Sequence, residues 1–370
     1  MTSGKLGVSA LLYLSLIFSS SLQFTLGPEA VLRAASFHVE APEARDTEFR
    51  AAHPDFGALA HDETAKRVLK AAPSWTFTSF WGDAGYYAQQ ASAVHESIAP
   101  YKYRVLAPAL AHGLLRVTGL SVERAFVVLN AAACLVTALA FEVFLSAYFG
   151  FAAVTAVLGS CLFVTCASNA GTLPFPMLEP VSLMFSCLIL MSVAYGRSAF
   201  FVVTALLGVA TKEVLAISAL LWLLAAPEPK LWKRAAVAAV PLLGFVVLRL
   251  ALGGSALEVN YGYNMLDGQF PAYGKRLLQW RSIAGVTLQV FLAFSFMWLG
   301  LWQALKQPFL RRCLPIVPVT VIAAILLSSR LTRTLGILFP IVVPGFLLWF
   351  DTSPLRTQGL TVLQSITKKS

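Results

Sequence analysis

The sequence predicts an all-α polytopic membrane protein with about ten transmembrane helices. The chain has 370 residues, of which 58% are hydrophobic and only 12% are charged, and its mean hydropathy is +0.72. In a soluble globular domain about a quarter of the residues are charged. Apolar runs that could cross about 30 Å of hydrocarbon, some of them only if tilted or locally thinned, recur along the whole chain. They are Leu6–Leu26, Ala125–Tyr148, Phe151–Ala167, Pro180–Tyr195, Ala199–Thr211, Val214–Ala226, Ala235–Leu252, Ile283–Leu305, Leu314–Leu327 and Leu335–Phe350.

The first run, Leu6–Leu26, is interpreted as an uncleaved signal anchor, because about twenty apolar residues are long for a signal peptide and TLGPEA is a poor cleavage site. Orientation follows from Lys and Arg, which concentrate on the cytoplasmic side of short loops. With a cytoplasmic N-terminus, the inner connections hold basic residues, except for the short connection Phe149–Gly150. The basic residues there are Lys5, Arg197, Lys230, Lys233, Arg234, Lys306, Arg311, Arg312, Arg356, Lys368 and Lys369.

This topology divides the chain into four parts. Residues 1–26 form the first transmembrane helix, 27–124 a large outer loop with interfacial or re-entrant helices, 125–350 the transmembrane bundle with an outer loop at 253–281, and 351–370 a cytoplasmic tail. The first outer segment holds 11 of the 18 acidic residues and all five histidines. The chemistry is therefore expected on the outer face, and Ala-rich spans with short loops favour a bacterial inner membrane, whose outer face is periplasmic.

The net charge of +10 does not indicate a nucleic-acid partner, because the basic residues stand singly or in twos and threes between apolar runs. The five cysteines lie within or beside those runs and predict no disulfide framework. The outer histidines lack metal-ligand spacing. We predict no metal site and no certain cofactor. Whether the protein uses a divalent cation is left open.

The stretch SFWGDAGYYAQQA places Asp83 among aromatic side chains, just before a segment that reads as helix. Asp is among the commonest helix N-caps, so its carboxylate could accept a hydrogen bond from the first turn. At the lipid–water boundary the same carboxylate would be partly desolvated, which would make it a stronger general base if a nearby cation kept it ionised. The two roles are compatible, and both stay open.

The segment PYKYRVLAP alternates Tyr101 and Tyr103 with Lys102 and Arg104, at the start of an interfacial helix. One interpretation is an aromatic belt with basic side chains that reach the interface. The other is a clamp for a lipid-linked phosphate, which paired cations and tyrosine hydroxyls suit at that depth.

Two further groups of charges interrupt apolar sequence. Lys212 and Glu213, in TKE, divide what would be one long run, either as an ordinary outer turn or as a functional pair. Arg330 and Arg333, in SSRLTRT, would share a helix face. Together with Arg249 and Arg281 they put four cations on the side where arginine is disfavoured, which indicates an anionic ligand there.

Acidic and aromatic residues of the other outer connections are further candidates. Glu179, in TLPFPMLEP, is either an interfacial carboxylate or a second acid, and Glu213 is the alternative second acid. The Tyr- and Asn-rich loop EVNYGYNMLDGQF could contact carbohydrate or simply anchor at the interface. The candidate sugar or acceptor contacts are Tyr86, Tyr87, Tyr101, Tyr103, Tyr261, Asn264 and Asp267.

The layout resembles the GT-C superfamily of polytopic glycosyltransferases that use polyprenyl-phosphate sugars. The resemblance rests on the short motifs WGDAGYY, PYKYRVLAP, TKE and SRLTR within Leu6–Phe350. The resemblance implies Asp83 as the catalytic acid of the first outer loop, although Ala84 stands where many members carry an adjacent second acid. It also implies that cations stabilise the departing lipid phosphate, for which the candidates are Lys102, Arg104, Lys212, Arg330 and Arg333.

The expected function is therefore transfer of a sugar from a polyprenyl-phosphate donor to a saccharide, lipid or protein acceptor in cell-envelope glycan biosynthesis. Two alternatives remain. One is a non-enzymatic carrier or flippase for a lipid-linked saccharide or anion, in which the same cations bind the ligand. The other is a surface-glycan polymerase or ligase that uses a lipid-diphosphate donor.

Overall fold

The computed structural model describes residues 9–17, 87, 90–91, 103–166, 177–253, 258–259, 263–264, 287–288, 290–291, 293–327 and 335–352. This part of the chain is helical apart from one pair of two-residue strands, as the sequence predicted. The helices are α1 (9–17), α2 (Leu106–Thr118), α3 (Val122–Phe149), α4 (Ala153–Val164), α5 (Glu179–Ala194), α6 (Ser198–Thr211), α7 (Ser218–Ala225), α8 (Leu231–Ala251), α9 (Gly300–Ala304), α10 (Pro308–Cys313), α11 (Ile316–Leu327) and α12 (Phe339–Thr352).

Short 3₁₀ segments lead into three of these helices. Glu213–Ile217 precedes α7, Ser295–Leu299 precedes α9, and Gly336–Leu338 precedes α12. The strands Glu258–Val259 (β1) and Tyr263–Asn264 (β2) pair antiparallel, with Glu258 opposite Asn264. The predicted outer loop 253–281 thus contains a hairpin.

Every one of the ten predicted apolar runs contains helix in the described part of the chain. Two helices there, Arg124–Phe149 and Leu231–Ala251, are by themselves long and apolar enough to cross a membrane. Five other apolar helical stretches of the described residues, counted with their 3₁₀ turns, measure 10–17 residues. One cause of this shortness is visible after Lys212, where the chain makes a 3₁₀ turn before α7 begins.

Helices α5, α6 and α7 form an antiparallel row. The rings of Phe201 and Trp222 lie 4.5 Å apart between centroids, while at one end of the row Gly196 abuts Pro227. At the opposite end Lys212 contacts Glu179, the first residue of α5. The charged residues of TKE therefore occupy a tight connection between two helices, as the sequence predicted.

The end of the bundle away from Lys212 and Glu179 carries the basic connections. Tyr148, near the end of α3, packs its ring against Tyr195 at 5.5 Å and against Phe309 at 5.3 Å. Arg197 follows Tyr195 closely, and Lys306 and Arg311 flank Phe309 along the chain. We call this end of the bundle the basic end.

The first helix packs on α3 through a buried carboxylate. Ser9 donates a hydrogen bond to Glu142 at 3.1 Å, and Tyr13 donates one to its other oxygen at 2.7 Å. Ile17, one turn further, packs in a small cluster with Cys134. Residues 9, 13 and 17 share one helix face, so polar and apolar contacts hold α1 antiparallel to α3. All five cysteines are free, which agrees with the absence of a predicted disulfide framework.

A close contact between two helix backbones joins α9 to α12. A Cβ atom on Gly300 would lie 2.1 Å from the backbone nitrogen of Phe346, and one on Gly345 would lie 2.9 Å from the carbonyl oxygen of Gly300. Only glycine permits this approach, because neighbouring backbone atoms cannot move aside as a flexible side chain can. Small residues at such crossings increase the van der Waals contact between two helices.

We expect Gly300→Ala to lower the free energy of unfolding by about 1–3 kcal/mol, the usual cost of inserting a methyl group into a packed interior. Gly113→Ala is the matched control, because Gly113 lies within helix α2 and a Cβ there would meet nothing within 4 Å. It should raise stability by about 0.4–1 kcal/mol through the unfolded state. Equilibrium denaturation of the two purified variants measures both effects, and equal stability of Gly300→Ala and the wild-type protein would contradict the packing described here.

Candidate functional site

The end of the bundle opposite the basic end brings together ionisable and tyrosine side chains from separate parts of the chain. Direct contacts, together with the chain neighbours Tyr103–Arg104 and Lys212–Glu213, connect them into one group, which we call the charged cluster. Its members are Tyr87, Tyr103, Arg104, Glu179, Lys212, Glu213 and Arg249.

The backbone conformation of Lys212 places two of these residues. Lys212 is extended, with φ −155° and ψ 120°, and thereby ends α6 after Thr211. Glu213 then begins the 3₁₀ segment that leads into α7. The reversal directs two adjacent side chains, of opposite charge, to different partners.

Glu213 forms a two-pronged ion pair with Arg104, which lies two residues before α2. Arg104 Nε donates to Glu213 Oε2 at 2.7 Å, and Arg104 Nη2 donates to Glu213 Oε1. The third guanidinium nitrogen, Nη1, donates to the hydroxyl oxygen of Tyr87 at 2.5 Å. This planar fork is the strongest arrangement for an arginine and a carboxylate. It joins the segment before α2 to the turn between α6 and α7.

Lys212 pairs with Glu179 more deeply in the protein. Lys212 Nζ lies 3.3 Å from Glu179 Oε1, and the two side chains are only 10% and 2% exposed. Glu179 is the first residue of α5, where a negative charge also interacts favourably with the positive end of the helix dipole. The pair fixes the start of α5 against the end of α6.

Arg249, near the end of α8, is held between two aromatic rings. Its guanidinium carbon lies 4.7 Å from the ring centroid of Tyr103 and 4.5 Å from that of Phe245. Both distances lie within the range of a cation–π interaction. Because Tyr103 precedes Arg104, this stack attaches α8 to the same segment as the Arg104–Glu213 pair.

The described members of the cluster carry a small excess of positive charge: three cations, Arg104, Lys212 and Arg249, against the two carboxylates, a sum of +1.

Burial by itself would raise the pKa of Glu213, which lies in the connection between α6 and α7. The adjoining guanidinium of Arg104 outweighs burial and holds that pKa below its ordinary value. Glu213 is therefore ionised at neutral pH and is a weak proton acceptor.

Six of the predicted site residues meet in the cluster: Tyr87, Tyr103, Arg104, Glu179, Lys212 and Glu213. The structure adds a feature that the sequence analysis missed, since each of the two described cations assigned to a phosphate has a carboxylate partner. Arg249 was noticed only as an outer cation. Residues four apart on a helix are neighbours, so the spacing of Arg249 from Phe245 could have predicted this cation–π contact.

The remaining predicted residues lie mostly outside the described part of the chain. This group consists of Asp83, Tyr86, Tyr101, Lys102, Tyr261, Asp267, Arg330 and Arg333. Asn264 is placed by its backbone, in strand β2. Their proposed roles stay predictions.

Among the described residues, no group of three or more His, Cys, Asp or Glu side chains could hold a metal ion. His112, one of the outer histidines, instead donates through Nδ1 to the backbone carbonyl of Ala91 at 2.6 Å. That bond ties α2 to the segment that also contains Tyr87, so His112 has a structural contact beside the cluster.

Comparisons with family models, with curated proteins and with solved structures give no match to this chain. The resemblance to the GT-C superfamily therefore rests on the layout and the short motifs of the sequence alone, and it stays a prediction.

Proposed function

We propose that the chain is a polytopic membrane protein whose ten apolar runs all lie in the bilayer. Helix α8 supports this proposal, because only 17% of its most apolar 18-residue window is buried within the protein. The core helix of a soluble protein would be mostly covered. Instead, large side chains such as Leu243, Val247 and Trp302 are exposed, and a hydrocarbon environment would cover them without a hydration cost.

We further propose that the basic end faces the cytoplasm, as the positive-inside tendency requires. Arg197, Lys230 and Lys306 follow or precede helices that turn at that end. Both termini would then be cytoplasmic, and the charged cluster would face the periplasm of a bacterial inner membrane. Orientation can be read from accessibility of single introduced cysteines to a membrane-impermeant reagent in intact cells.

We infer that the protein is a membrane glycosyltransferase that moves a sugar from a polyprenyl-phosphate donor to an acceptor at the outer face. The observation that carries this inference is the charged cluster itself. Ionisable side chains at membrane depth are costly, and where they occur they mark substrate sites. The basic side chains of the cluster suit an anionic phosphate, and the neighbouring tyrosines suit a polar ligand at the interface.

The roles of the described residues follow from their contacts. Glu213 and Glu179 are assigned as positioning residues, since each holds a cation. The lowered pKa of Glu213 also makes that carboxylate a poor base. Arg104 and Lys212 provide fixed positive charge beside the donor phosphate. Direct contact with that phosphate is assigned to Lys102, Arg330 and Arg333, and proton abstraction from the acceptor to Asp83.

A transfer assay tests this function directly. Radiolabelled polyprenyl-phosphate sugar is supplied to inverted and to right-side-out membrane vesicles, and the products are separated by chain length. A glycosyltransferase yields one glycosylated product at the face that carries the charged cluster. Movement of label across the membrane without a new glycosidic bond would replace this proposal by the carrier or flippase, and a ladder of products by the polymerase or ligase.

We expect Arg330→Ala and Arg333→Ala each to weaken binding of a polyprenyl monophosphate by about 10- to 150-fold. A hydrogen bond to a charged group contributes about 1.5–3 kcal/mol, and every 1.4 kcal/mol changes the dissociation constant tenfold. The matched control is Arg311→Ala, because Arg311 is exposed at the basic end. Unchanged affinity in both outer variants, measured by titration in detergent micelles, would remove these arginines from the donor site.

A further inference from the structure

A small cavity lies within the bundle, and no residue of the charged cluster lines it. Its volume is about 30 Å³, and it is bounded by α5, the 3₁₀ segment before α7, α7 itself, α11 and the segment that begins α12. Most of its lining is Ile and Leu. Three hydroxyl side chains also line it: Ser186 of α5, Ser218 of α7 and Thr320 of α11.

Two of these hydroxyl groups need a hydrogen-bond partner. Ser218 and Thr320 are 3% and 0% exposed, and no atom of the described structure accepts from or donates to either hydroxyl oxygen. Ser186, in contrast, donates to the backbone carbonyl of Ile337 at 2.7 Å. A buried hydroxyl without a partner is destabilising and is rare in folded proteins. Two of them on one cavity indicate a ligand that hydrogen-bonds.

The volume restricts what that ligand can be. Sites for small organic ligands measure about 300–1,000 Å³, so a sugar or a lipid headgroup is too large. A water molecule needs about 10–15 Å³ of such a cavity together with two to four polar partners. The cavity meets both requirements for one or two waters.

We propose that Ser218 and Thr320 bind ordered water in this cavity, and that the water joins two parts of the bundle. Ser218 belongs to the row of α5, α6 and α7, which carries two acids of the charged cluster, whereas Thr320 belongs to the C-terminal helices. The direct bond from Ser186 to Ile337 connects the same two parts beside it. This inference is independent of the glycosyltransferase proposal, since it involves neither the charged cluster nor an anionic ligand.

Substitutions that keep shape but remove a hydroxyl test the site. Thr320→Val and Ser218→Ala each remove one partner of the water, so each should lower the melting temperature of the detergent-solubilised protein by about 1–2 °C. Loss of one net hydrogen bond shifts the melting temperature by about 2–4 °C in domains of 150–250 residues, and the shift becomes smaller in a longer chain. Thr204→Val is the matched control: Thr204 is equally buried, but its hydroxyl donates to Phe200 of its own helix. Its melting temperature should barely change.

The direction of the shift distinguishes a wet from a dry cavity. If no water is bound, both variants remove a destabilising unpaired hydroxyl and the melting temperature rises, which would overturn the proposal. A high-resolution structure provides the second measurement. We expect density for a water within about 3.2 Å of both hydroxyl oxygens, and its loss in the double variant Ser218→Ala/Thr320→Val. Continuous hydrocarbon packing in that space would also overturn the proposal.

Discussion

Replacing Lys212 with methionine is expected to lower the free energy of unfolding by about 3–5 kcal/mol, the usual cost of removing one partner from a buried ion pair. The reason lies in Glu179, whose side chain is only 2% exposed. Without the ammonium group its carboxylate is left with less compensating charge in a poorly hydrated place. Equilibrium unfolding of the purified protein in detergent micelles, followed by tryptophan fluorescence, measures the loss.

A double-mutant cycle separates the interaction energy of the Lys212–Glu179 pair from the cost of burying one charge after its partner has been removed. Glu179→Gln alone leaves the ammonium group of Lys212 buried and should also destabilise. In Lys212→Met/Glu179→Gln both charges are gone, and the stability should return to within about 1–2 kcal/mol of the wild-type value, because a buried pair and a neutral replacement are often equivalent. Lys306→Met controls for the substitution itself, since Lys306 is exposed at the basic end. A loss below about 1 kcal/mol in Lys212→Met would mean that the pair behaves as a surface salt bridge.

The connection that contains Lys212 and Glu213 shows which part of the fold the sequence could predict. Two charged residues within an apolar stretch predicted a connection between helices after Thr211, and the antiparallel packing of α6 and α7 confirms it. The turn contains no Gly, Pro or Asn, the residues that usually form tight turns, so residue type alone did not predict its backbone geometry. The structure supplies the reason: Lys212 in extended backbone and a 3₁₀ segment make the reversal.

The pairing of the charges could not be predicted in the same way. Arg104 and Glu213 are 109 residues apart, and which cation meets which carboxylate depends on how α2 packs beside α6. A count of charges along the sequence treats each cation as available to a ligand. In the folded chain, two such cations hold carboxylates and Arg249 lies between rings. The sequence thus identified most members of the charged cluster but assigned their contacts by residue type alone.

Helix length was equally difficult to predict. The run Val214–Ala226 contains no charged residue, yet its first residues belong to a 3₁₀ segment and α7 itself has 8 residues. Hydropathy reports which residues avoid water and is insensitive to the hydrogen-bond pattern of the backbone. Leu215, in the 3₁₀ segment, lies close to Gly208 of α6, a tertiary contact that hydropathy does not report.

Replacing Asp83 with asparagine is expected to reduce sugar transfer by about 10²- to 10⁴-fold, the usual contribution of a general base. In the proposed mechanism Asp83 accepts the proton of the acceptor hydroxyl as that oxygen attacks the anomeric carbon, while positive charge beside the donor stabilises the departing phosphate. An amide cannot accept that proton. The measurement is the initial rate of transfer from radiolabelled polyprenyl-phosphate sugar, normalised to the amount of folded protein in the membrane.

Asparagine is the informative replacement because it separates the two roles that the sequence left open for Asp83. Asn caps a helix about as well as Asp does, so Asp83→Asn keeps the cap and removes only the base, whereas Asp83→Ala removes both. If Asp83 is catalytic, both variants lose transfer, but only Asp83→Ala also loses about 0.5–2 kcal/mol of stability. Asp351→Asn, at the end of α12 near the basic end, should keep full activity and serves as the control. Full transfer by Asp83→Asn would leave Asp83 only its capping role, and the base would have to come from another acid of the outer face.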